Sequence, residues 1–145
     1  MHRLLRFCSL TSRERRPFFE AITLIIFSAL CLKIIPFKRI YLYLDNRFGN
    51  IEIDFRDPND GETAIVSRAI SRGASALPWK TLCLSKSISE FIMLRRRKIP
   101  ATLCTGVKVF ANSSLGAHAW VDTSGTKQNY ANADFVVVLK IGERT

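Results

Sequence analysis

Two side chains in this sequence are of the types that activate one another in acyl-transfer chemistry. Cys83 stands where a helical pattern begins, and His118 follows 35 residues later in the alternating segment Gly116-Ala117-His118-Ala119-Trp120-Val121-Asp122. A cysteine in a first helical turn has its thiolate favoured by the helix dipole and by backbone N–H groups that lack intrahelical partners. A nearby imidazole lowers the thiol pKa further and can later protonate a leaving amine. The same N–H groups suit a developing oxyanion. A cysteine-bearing helix packed on a sheet that presents a histidine is therefore the minimum geometry of a cysteine peptidase or acyltransferase. Residue type alone argues the other way. Cysteine is among the most buried residue types, a strand histidine is usually structural, and Cys104 reads as core. The second histidine, His2, sits at the chain terminus and is set aside.

The elements that must position this pair are legible in outline. Thr11-Ser12-Arg13-Glu14 fits a capping box that opens a helix running to about Ile35, where Pro36 ends it. Phe37–Leu44 reads as a second short helix with Ile40, Leu42 and Tyr43 partly packed. Asp45–Glu62 holds six of the 12 acidic residues, with Gly49, Pro58 and Gly61, and reads as a linker or surface loop. A short strand is expected within it at Ile51–Phe55, and a turn at Asn59-Asp60-Gly61. Helical spacing returns over Thr63–Leu77 and again from Thr81–Cys83 to about Arg97, with Leu84, Ile88, Phe91 and Ile92 forming one apolar stripe. Arg95 to Lys98 reads as a solvated helix end, favoured there by the dipole. From Ile99 the period becomes two. Strands are expected at Thr102–Phe110, at Ala117–Asp122 and near Thr126, and a last one at Phe135–Leu139. Helices first and an antiparallel meander after them make the class α+β. The reading divides the chain into an N-terminal helical arm (1–44), an acidic linker (45–62) and a main domain (63–142).

The 145 residues allow one domain, and 48% hydrophobic with 23% charged residues is an ordinary globular composition. The balance of 22 Lys+Arg against 12 Asp+Glu, a net +10, points to a negative partner: nucleic acid, a lipid surface or an acidic peptide. Nucleic-acid binders cluster basic residues with exposed aromatics along one face. Here they fall at the N-terminal arm, at one helix end and singly elsewhere. No glycine-rich phosphate loop and no metal-ligand cluster stands out, so no cofactor and no metal is expected. Cys8, Cys31, Cys83 and Cys104 form no CxxC pair and read as reduced thiols of a cytoplasmic protein. The basic start, the Arg15-Arg16-Pro17-Phe18-Phe19 motif and the apolar run Ala21–Leu32 resemble an export signal. Glu20 opens that run, however, and no A-x-A site follows it. At 12 residues it also falls short of the about 20 that a span needs. A buried or membrane-surface helix is the simpler reading.

Three segments sharpen the function. Leu77-Pro78-Trp79-Lys80-Thr81-Leu82-Cys83 leads into the helix. Arg95-Arg96-Arg97-Lys98-Ile99-Pro100-Ala101 leads out of it into a strand, and Ala117-His118-Ala119-Trp120-Val121-Asp122 follows. Together these resemble the transglutaminase-like domain of lasso-peptide leader peptidases, the stand-alone B-type maturation proteins. The segment from Leu10 to Arg16 and Ile35-Pro36-Phe37-Lys38-Arg39 also resemble the helical arm of that family. The resemblance implies a transglutaminase/papain-like core and a cysteine peptidase that removes the leader from a ribosomally made precursor peptide. It implies Cys83 as nucleophile and His118 as general base. It also implies two partners besides the precursor, a small separate leader-recognition protein and an ATP-dependent lasso cyclase. The family pattern has an Asp 12 residues after the His, where this chain has Tyr130. The group that orients His118 is therefore open between Asp134, Asn132 and Asp122, with Asp134 favoured. The competing readings are a basic nucleic-acid- or membrane-surface-binding protein in which Cys83 and His118 are structural, and an inactive scaffold of the maturation complex. In the leading reading, much of the positive charge serves as docking surface, and the N-terminal helix is a candidate for peripheral membrane contact.

Overall fold

Apolar residues at helical spacing in the first two thirds of the chain and alternating residues in the last third produce a helical layer against a sheet. The computed structural model describes residues 12–49, 60–123 and 134–142. In chain order the elements are α1 (Ser12–Ile34), α2 (Phe37–Leu44), a π-helical turn (Asp45–Gly49), α3 (Asp60–Ala76), α4 (Cys83–Arg96), β1 (Thr102–Val109), β2 (Leu115–Asp122) and β3 (Val136–Ile141). His2, Cys8, Thr11, the strand expected at Ile51–Phe55, the one near Thr126, Tyr130 and Asn132 lie outside the described residues.

Pro36 separates α1 from α2 as expected. Its φ of −57° and ψ of 136° are extended, and it holds the N-cap of α2. In α2 it is Leu44 that is buried, while Leu42 and Tyr43 are exposed and Ile40 is half-buried. The helix therefore turns a different edge inward than its composition suggested. The acidic stretch is not all loop. Its first five residues continue as a π-helical turn, and Asp60 and Gly61, read as part of a turn, already belong to α3.

α4 is the centre of the molecule. It packs against α1, α3, β1 and β2, and Ile88, Phe91, Met93 and Leu94 join the core of Ala21, Ile25, Val66, Ile70, Leu103 and Ile141. A helix covered on so many sides buries more than one stripe. Ser85, Ser87 and Ser89 are buried as well, which is tolerated because each hydroxyl has an acceptor. Ser85 donates to the Leu82 carbonyl and Ser89 to the Ser85 carbonyl, both within or beside the helix. Ser87 donates across to the Ala119 carbonyl of β2 at 2.9 Å.

The run read as a solvated helix end is mostly structural. Arg95 is only 3% exposed. Its Nε and Nη2 each donate at 2.8 Å, to the carbonyls of Phe48 and Gly49 in the π-helical turn, and its guanidinium lies over the Phe91 ring. Arg97 and Arg96 reach Glu20 on α1, at 2.5 and 3.2 Å. The carbonyls that end a helical turn need donors, and Arg95 supplies a planar fork from 46 residues away.

The sheet is antiparallel but is not a meander. Among the described strands the order is β2-β1-β3, so β3 pairs with β1 and not with β2. β1 is the strand whose residues are buried on both faces, Leu103 on one and Cys104 and Gly106 on the other. It therefore takes the middle place. β2 and β3, with exposed Leu115, Val136 and Val138, take the edges. A register shift in β3 opposite Thr105 and Gly106 marks a bulge.

Two stability predictions follow from these contacts. Arg95→Met leaves two carbonyls without their donor and should cost about 3 kcal/mol in urea unfolding. Arg95→Lys should recover less than half of that loss, since an ammonium cannot fork. Glu90 concerns pH. Burial raises its carboxyl above the ordinary 4.5, partly opposed by the Ser67 hydroxyl that donates to it. The folded chain therefore binds this proton more tightly than the unfolded one. The stability tied to it is complete below pH 4.5 and falls as pH rises through the folded value. Glu90→Gln should match the parent chain at acid pH in thermal melts and exceed it by a growing margin toward neutrality. A constant margin would refute this account.

Candidate active site

Cys83 is the first residue of α4, and it is half-buried. Leu82, at the N-cap, is extended (φ −69°, ψ 144°) and supplies no side-chain cap. Lys86 is the first residue whose N–H closes on the Leu82 carbonyl, at 3.2 Å. The N–H groups of Cys83, Leu84 and Ser85 belong to the open first turn. Most helices cap these donors with Ser, Thr, Asp or Asn. Here the position before the cysteine is an exposed leucine, so the positive end of the helix dipole faces outward beside the thiol. Cys31 and Cys83 are free thiols.

His118 lies in the middle of β2, opposite Gly106 of β1. Alternation gives it the same face as Trp120, and Ala119 and Val121 the face that joins the core. Three rings gather on the His118 side. The imidazole stacks with Trp120 at 6.0 Å between centroids, and Phe135 stands 5.4 Å from His118 and 6.4 Å from Trp120. Gly106 makes room for them. A Cβ there would lie 3.0 Å from Trp120 Cη2 and 2.9 Å from the Val136 carbonyl oxygen, so only glycine fits under the indole. Trp120 is thus a wall of the histidine's surroundings. Trp79 is 49% exposed just ahead of α4.

Asp134 lies immediately before Phe135, and its carboxylate binds the Lys108 ammonium at 2.6 Å. That hydrogen bond and the adjacent positive charge hold its carboxyl below the usual range. Asp122 pairs opposite Thr102 at the far end of β2. Among the described residues no hydrogen bond joins Cys83 to His118, or His118 to Asp134 or Asp122.

What the fold does join is α4 to β2. Ser87 is one turn beyond Cys83 and on the same helix face, about 6 Å along the axis. Its hydroxyl holds the carbonyl of Ala119, the residue after His118. Sequence reading missed Ser87, Gly106 and Phe135. A serine in an otherwise apolar helix and a glycine inside a strand were the available signals.

The comparisons with known proteins are narrow. No curated protein and no solved structure matches the chain. One family does, the transglutaminase-like superfamily, over residues 32–139; its members are commonly cysteine peptidases and transglutaminases. The matched stretch runs from the last turn of α1 into β3, and it contains the cysteine-bearing helix, the sheet against which that helix packs and the strand that carries His118. With such a helix on a three-stranded antiparallel sheet, and a match across most of its length, the chain belongs to the transglutaminase-like superfamily.

Proposed function

We propose that the protein is a cysteine peptidase with Cys83 as nucleophile and His118 as general base, and that it removes the leader from a lasso-peptide precursor. The observation that carries the first half is the uncapped start of α4. A thiol sits there among open N–H groups, and one turn later the helix is fastened to the strand of the histidine. In this reading the Cys83 thiolate attacks the scissile carbonyl and the oxyanion develops against the first-turn N–H groups. The His118 imidazolium then gives its proton to the departing amine, leaving a thioester. A water deprotonated by His118 hydrolyses the thioester and frees the thiol. His118 projects from the face of β2 opposite to the one that α4 covers, so bringing its imidazole to Cys83 requires the strand to move as well as the side chain. Catalytic hydrogen bonds are often long in unliganded enzymes and close only around substrate.

Asp134 is the proposed orienting group. Its neighbour Phe135 packs on the imidazole with centroids 5.4 Å apart, and the Asp134 side chain, 73% exposed in its pair with Lys108, is free of packing that would hold it there. The second half of the proposal, the lasso precursor, rests on the combined resemblance of Pro78-Trp79 before the cysteine, the Arg-rich exit into Ile99-Pro100-Ala101, and His118-Ala119-Trp120-Val121-Asp122. In that setting the protein acts in the cytoplasm with the precursor peptide, a separate leader-recognition protein and an ATP-dependent cyclase.

The test mixes the purified chain with a precursor peptide and a leader-recognition protein encoded beside it, and follows cleavage by mass spectrometry. Cys83→Ala and His118→Ala should each lower the rate about a thousandfold or more without changing the circular dichroism spectrum. Normal cleavage by either variant rejects the mechanism. If the precursor is untouched but generic thioester or amide substrates are cleaved in a Cys83-dependent way, the chemistry stands and the substrate assignment falls. Among the orienting candidates, Asp134→Ala or Asn132→Ala should slow the reaction more than Asp122→Ala. The reverse order would place the His118 partner at the other end of β2.

A further inference from the structure

α1 has two apolar faces, and the body covers one of them. Pro17, Phe18, Ala21, Ile25 and Ser28 are buried on the side where the helix packs against α3 and α4. At about 100° per residue, Phe19, Thr23, Phe27, Leu30 and Ile34 fall within an arc of about 80° on the opposite side, a strip about 22 Å long. All five are exposed, Phe27 by 63% and Ile34 by 80%. The one hydroxyl in the strip is turned inward: Thr23 Oγ1 donates to the Phe19 carbonyl at 2.9 Å. A strip of this length and character on one helix exceeds the scattered apolar residues that ordinary surfaces carry.

The charges around it are of one sign. Both acidic residues of α1 turn to the body, Glu14 to Arg72 and Glu20 to Arg96 and Arg97. Exposed Arg13 and Arg16 stand at one end of the strip, and exposed Lys33, Lys38 and Arg39 at the other. We propose that this face docks on an anionic lipid bilayer, with α1 lying in the plane of the interface. Aromatic and aliphatic side chains then enter the headgroup boundary while the cations at both ends meet lipid phosphates. By length and composition α1 is sufficient to cross a membrane, because apolar residues also precede Glu20, at Phe18 and Phe19, and follow Lys33 at Ile34; the 12-residue run alone understated it. A span would strip Glu20 from its arginines and uncover the core side of α3 and α4, whereas an interfacial position keeps both. This docking is independent of the peptidase reading.

Sedimentation of the full chain with vesicles tests it. The protein should bind phosphatidylglycerol vesicles at low salt, bind phosphatidylcholine vesicles weakly, and be released by high salt. The double variant Phe27→Gln/Leu30→Gln, both at exposed positions, should bind about tenfold more weakly with an unchanged thermal melt. Absence of binding to phosphatidylglycerol, or undiminished binding by the double variant, overturns the proposal. So does retention that only detergent reverses, which would mean a span. A lipid-free dimer, or a lipid-free complex with a leader-recognition protein, that the same substitutions abolish would assign the strip to a protein instead.

Discussion

A serine hydroxyl buried in a helix has two places to go: back to a carbonyl of its own helix, or across to a neighbour. In α4, Ser85 and Ser89 take the first course and Ser87 takes the second. The bond from Ser87 to the Ala119 carbonyl fixes where the start of the helix lies along β2. Because a buried carbonyl without a donor costs about 1–3 kcal/mol, this contact selects one sliding position of helix against strand. Cys83 and His118 sit a few residues from its two ends. The relative placing of these two candidate residues therefore depends on a polar bond within an apolar interface, to which neither contributes.

Part of the positive charge is spent inside the molecule. Arg95 closes the π-helical turn, and Arg96 and Arg97 hold α1 to α4 through Glu20. Among the 22 Lys and Arg, these three form a fixed set, and removing buried Arg95 would strand its carbonyl partners. Another set surrounds the exposed strip of α1. The fixed set aligns the helical layer, and by turning the acids of α1 inward it leaves the outer surface of that helix basic.

The aromatic group around His118 follows from a glycine. Without a side chain at Gly106, Trp120 can lie over the centre of the sheet, and Phe135, just before β3, can close on the imidazole. The bulge in β3 falls at the same place. It shifts the residues that precede it, and Asp134 thereby meets Lys108 of β1. The same local irregularity sets the ring contacts and the resting partner of the candidate orienting carboxylate.

The sequence by itself determined what depends on near neighbours. The breaks at Pro36 and at Pro78-Trp79, the extents of α2, α4 and β1, the placing of Cys83 at a helix start and of His118 in mid-strand, and the α+β class all follow from side chains within a few positions of one another, where helical and strand periods are written. Only the tertiary structure decided what depends on distant partners. Arg95 looked like a solvated cation because the carbonyls that bury it lie 46 and 47 residues away. The last strand looked like the next turn of a meander because nothing local records that β1, buried on both faces, would accept it as a neighbour. Leu42 and Tyr43 looked partly packed because a short helix shows its period but not which edge finds the core. The candidate pair was legible as two residue types in two suitable elements. A candidate orienting group was not, because a carboxylate's partner depends on strand order and on a single bulge.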